Sequence, residues 1–286
     1  MEAYTSFAKV YDTFMDETPY EEWGMRIREM IEKYGVSKPG GIKNCSLEDE
    51  RVADELSRED SADIILESER NLVVDLGCGT GTMTELLSSY GFDMIGVDNA
   101  EEMLSVAMEK KAKTGSEILY LLQDMRELEL YSTVGTVVSV CDSLNYLLEE
   151  SDLIETFKKV NNYLYPGGVF IFDFNTVYKY ETVIGDDTIA ENRDECSFIW
   201  ENFYHPDEEI NEYDLTLFVE EEEGLYRKFT ETHYQRGYTL QQMQSIAKAA
   251  GLEWVYEMDA DNCDKVNDYT ERIFAVVREC KKRTAR

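Results

Sequence analysis

The spacing of hydrophobic positions changes along the chain, and each change marks a different kind of element. In residues 1–35, Phe7, Val10, Tyr11 and Phe14 form an i, i+3, i+4, i+7 stripe, and Trp23, Ile27, Met30, Ile31 and Tyr34 form another. Each stripe puts its apolar side chains on one face of a helix, and Pro19 separates the two. Residues 36–70 lose the period. They open on Lys38-Pro39-Gly40-Gly41 and continue through a charged stretch from Leu47 to Arg70, which predicts an inserted, partly helical or mobile linker.

From residue 71 short apolar runs alternate with amphipathic ones. Leu72-Val73-Val74, Met94-Ile95-Gly96-Val97, Ile118–Leu122, Val137–Val140 and Val169–Phe172 read as strands. Between them, Met83, Leu86, Leu87 and Tyr90 mark a helix, as do Met103, Leu104 and Ala107, and then Leu153, Ile154, Phe157, Val160 and Leu164. The last of these stops at Pro166-Gly167-Gly168. Strands that are apolar throughout, separated by helices, predict a parallel sheet covered on both faces. Residues 176–237 break the alternation: Ser197–Tyr204, Asp214–Glu220 and Leu225–Tyr234 are strand-like with only acidic turns between them, so an antiparallel sheet is expected. Thr239 with Gln242 is a capping box opening a helix with Met243, Ile246, Ala247 and Ala250, stopped by Gly251. Strands follow at Leu252–Met258 and Ile273–Val277. The polar link 259–271 has no helical stripe to cover a parallel crossover, so the last strand is expected to return antiparallel.

The chemistry concentrates at strand ends. Asp75-Leu76-Gly77-Cys78-Gly79-Thr80-Gly81 stands between a strand and a helix. Glycines there let the backbone turn tightly and touch a ligand, and the amides that open the next helix face that ligand. Asp98 ends the second strand, 17 residues after Gly81, where a carboxylate can accept ribose hydroxyls. Asp124 follows the third strand and Cys141-Asp142 the fourth. Four groups in register predict a nucleotide-like ligand at one edge of the sheet; a helix N-cap is the alternative for Asp124 or Asp142. A dinucleotide loop would place its third glycine where Thr82 stands, and the Gly-Lys-Ser/Thr ending of a phosphate loop is missing. Asp75 disfavours a pyrophosphate and suits a cationic ligand.

Charge narrows the partners. The 286 residues carry 28 Lys+Arg against 60 Asp+Glu, a net charge of −32. Such a surface repels nucleic acid and anionic membranes. The dense basic cluster, Lys281-Lys282-Arg283 with Arg278 and Arg286, reads as a solvated end. No apolar run approaches the ~18–20 residues that span a bilayer, and the N-terminus has no secretory pattern. Six cysteines without CxxC spacing and two histidines predict no metal site and reduced thiols in a cytoplasm.

The run Val74–Gly81 resembles the first motif of the class I S-adenosylmethionine-dependent methyltransferases, with Asp98 in the place of their second and Asp124-Met125 of their third. The resemblance is strong over ~71–175 and topological over 238–278; residues 36–70 have no counterpart. It implies S-adenosylmethionine as cofactor. Asp75, Gly77, Cys78, Gly79 and Gly81 would cradle its methionyl part, Asp98, with Asn99 and Met103 beyond it, its ribose side, and Asp124 the adenine amino group with Met125 packed nearby; Cys141 would line the pocket. The segment Phe7–Asp12, with Tyr20 and Trp23, looks like the small-molecule branch, in which N-terminal aromatics, here Tyr11 and Tyr20, close over the cofactor; core packing is the alternative.

The fold expected is therefore α/β, a Rossmann-like doubly wound sheet, mostly parallel with an antiparallel last strand. It divides into an N-terminal helical lid (1–35), a charged insertion (36–70), a methyltransferase core (71–175 and 238–286) and an antiparallel β cap on the substrate side (176–237). In the cap, strand alternation puts Arg227, Glu231 and His233 on one face and Tyr226, Tyr234 and Tyr238 on the other. His233 and Asp142 are the candidate catalytic groups; for His233 an ordinary hydrogen-bonded strand residue is the alternative. The leading function is methyl transfer to N or O of a small metabolite. A methyltransferase acting on protein or RNA and a non-catalytic cofactor-binding module are alternatives, an NAD-dependent reductase is disfavoured by Thr82, and a homodimer is allowed.

Overall fold

The computed structural model describes residues 8–40, 67–194, 196–222 and 224–282. Phe7, most of the charged insertion, and the tail residues Arg283 and Arg286 lie outside them. The first stripe forms α1 (Ala8–Phe14) and the second α2 (Tyr20–Tyr34). Pro19 sits at the start of α2, its carbonyl accepting the Trp23 N–H at 2.9 Å. Trp23, Ile27, Met30 and Ile31 of α2 are buried, each contributing roughly 1.5–3 kcal/mol of transfer free energy.

The main sheet holds β1 (Leu72–Leu76), β2 (Asp93–Asp98), β3 (Leu119–Leu122), β4 (Val134–Ser139), β5 (Leu164–Asn175), β10 (Leu252–Asp259) and β11 (Arg272–Glu279). Their order is β10-β11-β5-β4-β1-β2-β3. β1 to β5 pair in parallel, and β11 lies antiparallel between β5 and β10. The return of the last strand follows from its link. Asp259 gathers the turn, with Oδ1 accepting the Asp261 N–H and Oδ2 the Thr270 hydroxyl at 2.8 Å. The helices α3 (Thr82–Ser89), α4 (Glu101–Thr114), α5 (Glu150–Tyr163) and α6 (Leu240–Ala249) cover the sheet, and α6 carries the expected capping box. One apolar layer joins Phe157, Val160 and Ile246 to Phe170 and Phe172. The other joins Trp23, Ile27 and Leu87 to Val73, Val138 and Phe274.

Two local readings change. The helix expected to stop at Pro166-Gly167-Gly168 ends at Tyr163 instead: β5 starts at Leu164 and runs through the triplet with an irregularity, Val134 pairing with Leu164 but Thr136 with Val169. Gly167 takes φ +76° there, and its N–H donates to Glu279. The basic tail is not simply solvated either. Lys282 Nζ donates to the carbonyls of Asn161, Asn162 and Leu164 at 2.5–2.8 Å, where the end of α5 leaves acceptors without intrahelical partners.

The second sheet is antiparallel throughout, in the order β6 (Thr188–Asn192), β7 (Cys196–His205), β8 (Ile210–Glu222), β9 (Leu225–Arg236). β6 escapes sequence reading because it is a mostly exposed edge strand with no apolar period. The alternation along β9 holds for Glu231 and His233, which are buried, and for Tyr226 and Tyr234, which are exposed. Arg227 lies at the turn end of the hairpin, paired with Glu221. Tyr238 does not share the face of Tyr226 and Tyr234: it falls past the end of β9 and is buried in the core of the main sheet, its hydroxyl on the Leu147 carbonyl.

The short helix α1 joins the two sheets. Val10 and Phe14 pack with Phe198, Leu215 and Leu217 of the second sheet, while Ala8 and Tyr11 meet Ala100 and Met103. Asp12 accepts the hydroxyls of Thr80 and Thr82 at 2.7 and 3.2 Å and pairs with Lys110. Asp16 pairs with Arg193 next to β6.

Candidate active site

β1 ends in a turn in which Gly77, Gly79 and Gly81 all take positive φ, +78°, +54° and +76°, a conformation that L side chains resist. The three glycines differ in use. A Cβ on Gly81 would stand 2.5 Å from the Tyr120 hydroxyl, so Gly81 serves helix–strand packing. A Cβ on Gly79 would meet nothing within 4 Å; its open side is the ligand side. Asp98 pins the loop as well as facing the site: Oδ2 accepts the Gly79 N–H at 2.8 Å and Oδ1 the Ala100 N–H at 2.9 Å.

The loop borders a cavity of about 730 Å³, within the usual size of small-molecule sites. It lies beyond the carboxyl ends of β1 and β4, where the strand order reverses and where open α/β sheets bind ligands. Tyr11, Tyr20, Asp75, Gly77, Cys78, Gly79, Asp98, Asn99, Met103, Asp124, Met125 and Cys141 all line it; Gly81 does not. Glu101, Arg126, Ser143, Tyr146, Glu149 and Asp152 also line it. Glu101, Arg126, Ser143 and Tyr146 stand a few residues past strand ends, whereas Glu149 and Asp152 open the helix Glu150–Tyr163 and carried no sequence signal. The wall is acidic, and its arginine is already engaged: Arg126 bridges Asp124 at 2.6 Å and Asp152 at 3.1 Å. Arg126 holds the Asp124 carboxyl below its ordinary range, and both Asp124 oxygens accept from it. An adenine amino group at Asp124 would share the carboxylate with Arg126.

Tyr20 reaches Cys141 Sγ at 3.9 Å, and burial pushes the Cys141 thiol well up. Cys141 is therefore a neutral part of the wall and not a thiolate nucleophile. Cys141 and Asp142 both take left-handed φ, 60° and 53°, a costly conformation for two successive non-glycine residues. The turn sends their side chains different ways. Asp142 does not line the cavity: Oδ1 accepts from Arg272 at 2.6 Å and Oδ2 from Gln235 at 2.7 Å, and its N–H donates to Asp173 at 2.9 Å. Its carboxylate neutralises a buried guanidinium and is not placed as a base. His233 also stays off the cavity wall, fully buried in the second sheet.

Asp75 is 1% exposed and yet borders the cavity. Its Oδ2 accepts the Thr84 hydroxyl at 2.6 Å, and Oδ1 has no hydrogen-bond partner among the described residues. Burial raises its pKa to about 7. Because the unfolded chain gives up this proton near pH ~4, the folded state binds more protons between there and 7. Stability contributed at low pH is therefore lost as pH rises through about 7. We expect Asp75→Asn to raise ligand-free stability at pH ~8 by roughly 2–4 kcal/mol with little change at pH ~4. Thermal melts at both values check this; a gain independent of pH would refute it.

A family model for a methyltransferase domain matches residues 73–168. The chain is 33% identical over 273 residues to the methyltransferase-family protein YqeM of Bacillus subtilis (strain 168), covering 95% of each chain. It is 32% identical over 277 residues to a methyltransferase-family protein of Geobacillus sp. (strain WCH70), covering 96% of this chain and 99% of that one. Among solved structures, an S-adenosylmethionine-dependent methyltransferase from Clostridium acetobutylicum ATCC 824 superposes with a TM-score of 0.69 at 30% identity, over 82% of this chain and 96% of the other.

Proposed function

This chain belongs to the class I S-adenosylmethionine-dependent methyltransferases, and within that family we propose that it methylates N or O of a small metabolite. The observation that carries the reading is that Tyr11 and Tyr20 line the cavity, with α1 anchored by Asp12 on its second half and Asp16 just past its C-terminal end. That wall leaves room for a cofactor and a compact acceptor in one 730 Å³ space.

The residues present fit S-adenosylmethionine. The Gly79 cradle is open where a Cβ would stand, and the buried Asp75 Oδ1 is an acceptor on the wall without a partner among the described residues. When bound, the cofactor supplies a sulfonium-activated methyl group. Asp98 would accept the ribose hydroxyls while it holds the Gly79 amide. Asp75 would face the cationic part, and Met125 would pack on the adenine side near Asp124. Ser143 donates to the carbonyls of Gly77 and Val140 at 3.1 and 2.9 Å, which ties the turn after β4 to the glycine loop. Tyr11 and Tyr20 exclude water and align an acceptor approaching from the cap side, and alignment is the main part of the catalysis.

Calorimetric titration with S-adenosylmethionine, S-adenosylhomocysteine and NADH tests the site. Micromolar binding of the two adenosyl compounds and none of NADH is expected; failure of both would overturn it. A labelled-methyl screen then separates acceptors: label in small amines or phenols supports the proposal. Label only in basic proteins, the class that a charge of −32 also suits, would replace it.

A further inference from the structure

Tyr146 stands on the 3₁₀ turn after β4 (Ser143–Tyr146) and lines the cavity. Its hydroxyl meets a buried polar chain in the second sheet. Tyr146 Oη lies 2.8 Å from Tyr213 Oη and 3.2 Å from His233 Nδ1. His233 Nε2 in turn lies 3.4 Å from Glu231 Oε2, an electrostatic contact and not a hydrogen bond. Tyr213 and His233 are paired across β8 and β9, and their rings stack flat at 4.8 Å and 5°, which fixes the imidazole plane. His233 is 1% and Glu231 4% exposed. Burying a carboxylate and an imidazole side by side is costly when the only purpose is packing. Here the buried pair stands directly behind a residue of the cavity wall.

We propose that Tyr146 is the catalytic residue that takes the proton lost by the methyl acceptor, with His233 as the proton's destination and Glu231 as the group that sets the imidazole tautomer. The proposal rests on the reading of the acceptor as a small N- or O-nucleophile. An ammonium must lose a proton before it attacks and a hydroxyl as it attacks, so one proton leaves in either case. With Nε2–H facing Glu231, Nδ1 is the acceptor for the Tyr146 O–H. An ammonium's N–H bond breaks before its bond to the methyl carbon forms, and a hydroxyl's O–H bond breaks as that bond forms. The electron pair of the donor's C–S bond leaves with sulfur. The freed proton passes to Tyr146 Oη as the tyrosine's own proton moves to Nδ1, and the imidazolium that results is stabilised by the Glu231 carboxylate. A third group orienting a base behind the reacting residue is the general logic of activated sites. His233 and Glu231 act through Tyr146 and are positioning residues.

The first readout needs no acceptor. The chain has two histidines, so His205→Gln, at an exposed site, leaves His233 as the one imidazole for ¹⁵N NMR of the full-length, cofactor-free protein. The Nε2–H tautomer is expected, with the Nδ1 resonance displaced in Tyr146→Phe and the Nδ1–H tautomer populated in Glu231→Gln. An Nδ1–H tautomer in the parent protein would overturn the proposal. The second readout is methyl transfer from labelled S-adenosylmethionine to a defined mixture of small amines and phenols. Tyr146→Phe and His233→Gln should each lower kcat by roughly 10²-fold or more, with KM and calorimetric S-adenosylmethionine affinity held. The double variant should be no slower than the single ones, as for residues acting as one unit. Unchanged kcat with intact cofactor binding overturns the relay alone, whereas loss of cofactor binding in the parent protein overturns the reading of the site.

Discussion

Asp98→Ala is expected to weaken S-adenosylmethionine binding by about 10²–10⁴-fold. Two hydrogen bonds from ribose hydroxyls to a carboxylate, at about 1.5–3 kcal/mol each, amount to roughly that factor. The substitution also releases the Gly79 and Ala100 amides, which Asp98 holds at 2.8 and 2.9 Å, so the glycine loop loses its anchor with the ligand contact. Gly79→Arg reaches the same end by another route. Its φ of +54° strains any side chain, and the arginine would enter the space that the cofactor needs. Calorimetry on both variants, with circular dichroism to show that each is folded, checks the result. Affinity within about threefold of the parent protein, less than the ~1.4 kcal/mol of a tenfold change, would move the cofactor elsewhere.

The largest stability effect is expected at Arg272. Its guanidinium bridges Asp173 of β5 and Asp142 after β4 and lies over the Trp23 ring at 5.2 Å. The two carboxylates hold the guanidinium charged well beyond its ordinary range, against the cost of burial. Arg272→Met would leave Asp173, fully buried, facing Asp142 with no cation between them. Removal of one partner from a buried ion pair costs about 3–5 kcal/mol, and denaturant titration should register a loss of that size. Adding Asp173→Asn should restore part of it, since the remaining repulsion is between two acids. A loss within about 0.5 kcal/mol, the range of ordinary surface substitutions, would show that the network is dispensable. Because Asp142 and Cys141 share the left-handed turn beside the cavity, the same variant should loosen the wall of the site, measurable as weaker cofactor binding in the folded fraction.

The sequence by itself determined the alternation of strands and helices and the glycine loop. Both are written in short stretches of chain: burial on both faces makes β1 and β4 mostly apolar, and a turn with three positive φ angles demands glycines. Asp98 was legible because it follows the loop by a set interval at the end of the neighbouring strand, and twelve residues expected at the ligand do line the cavity. The antiparallel return of β11 was legible because the link before it offers no covering helix. What each polar side chain does was decided by the tertiary structure alone. Asp142 looked like Asp124 and Asp98 at a strand end, yet a left-handed turn aims it at Arg272, 130 residues away. Tyr146 carried no motif, yet register across β8 and β9 sets a histidine 87 residues later against its hydroxyl. Edge strand β6 and the wedge of α1 between the sheets belong to the same class. Backbone conformation answers to near neighbours in the chain, whereas the partner of a buried charge is whatever the packed sheets bring within 3–4 Å of it, and no local pattern encodes that distance.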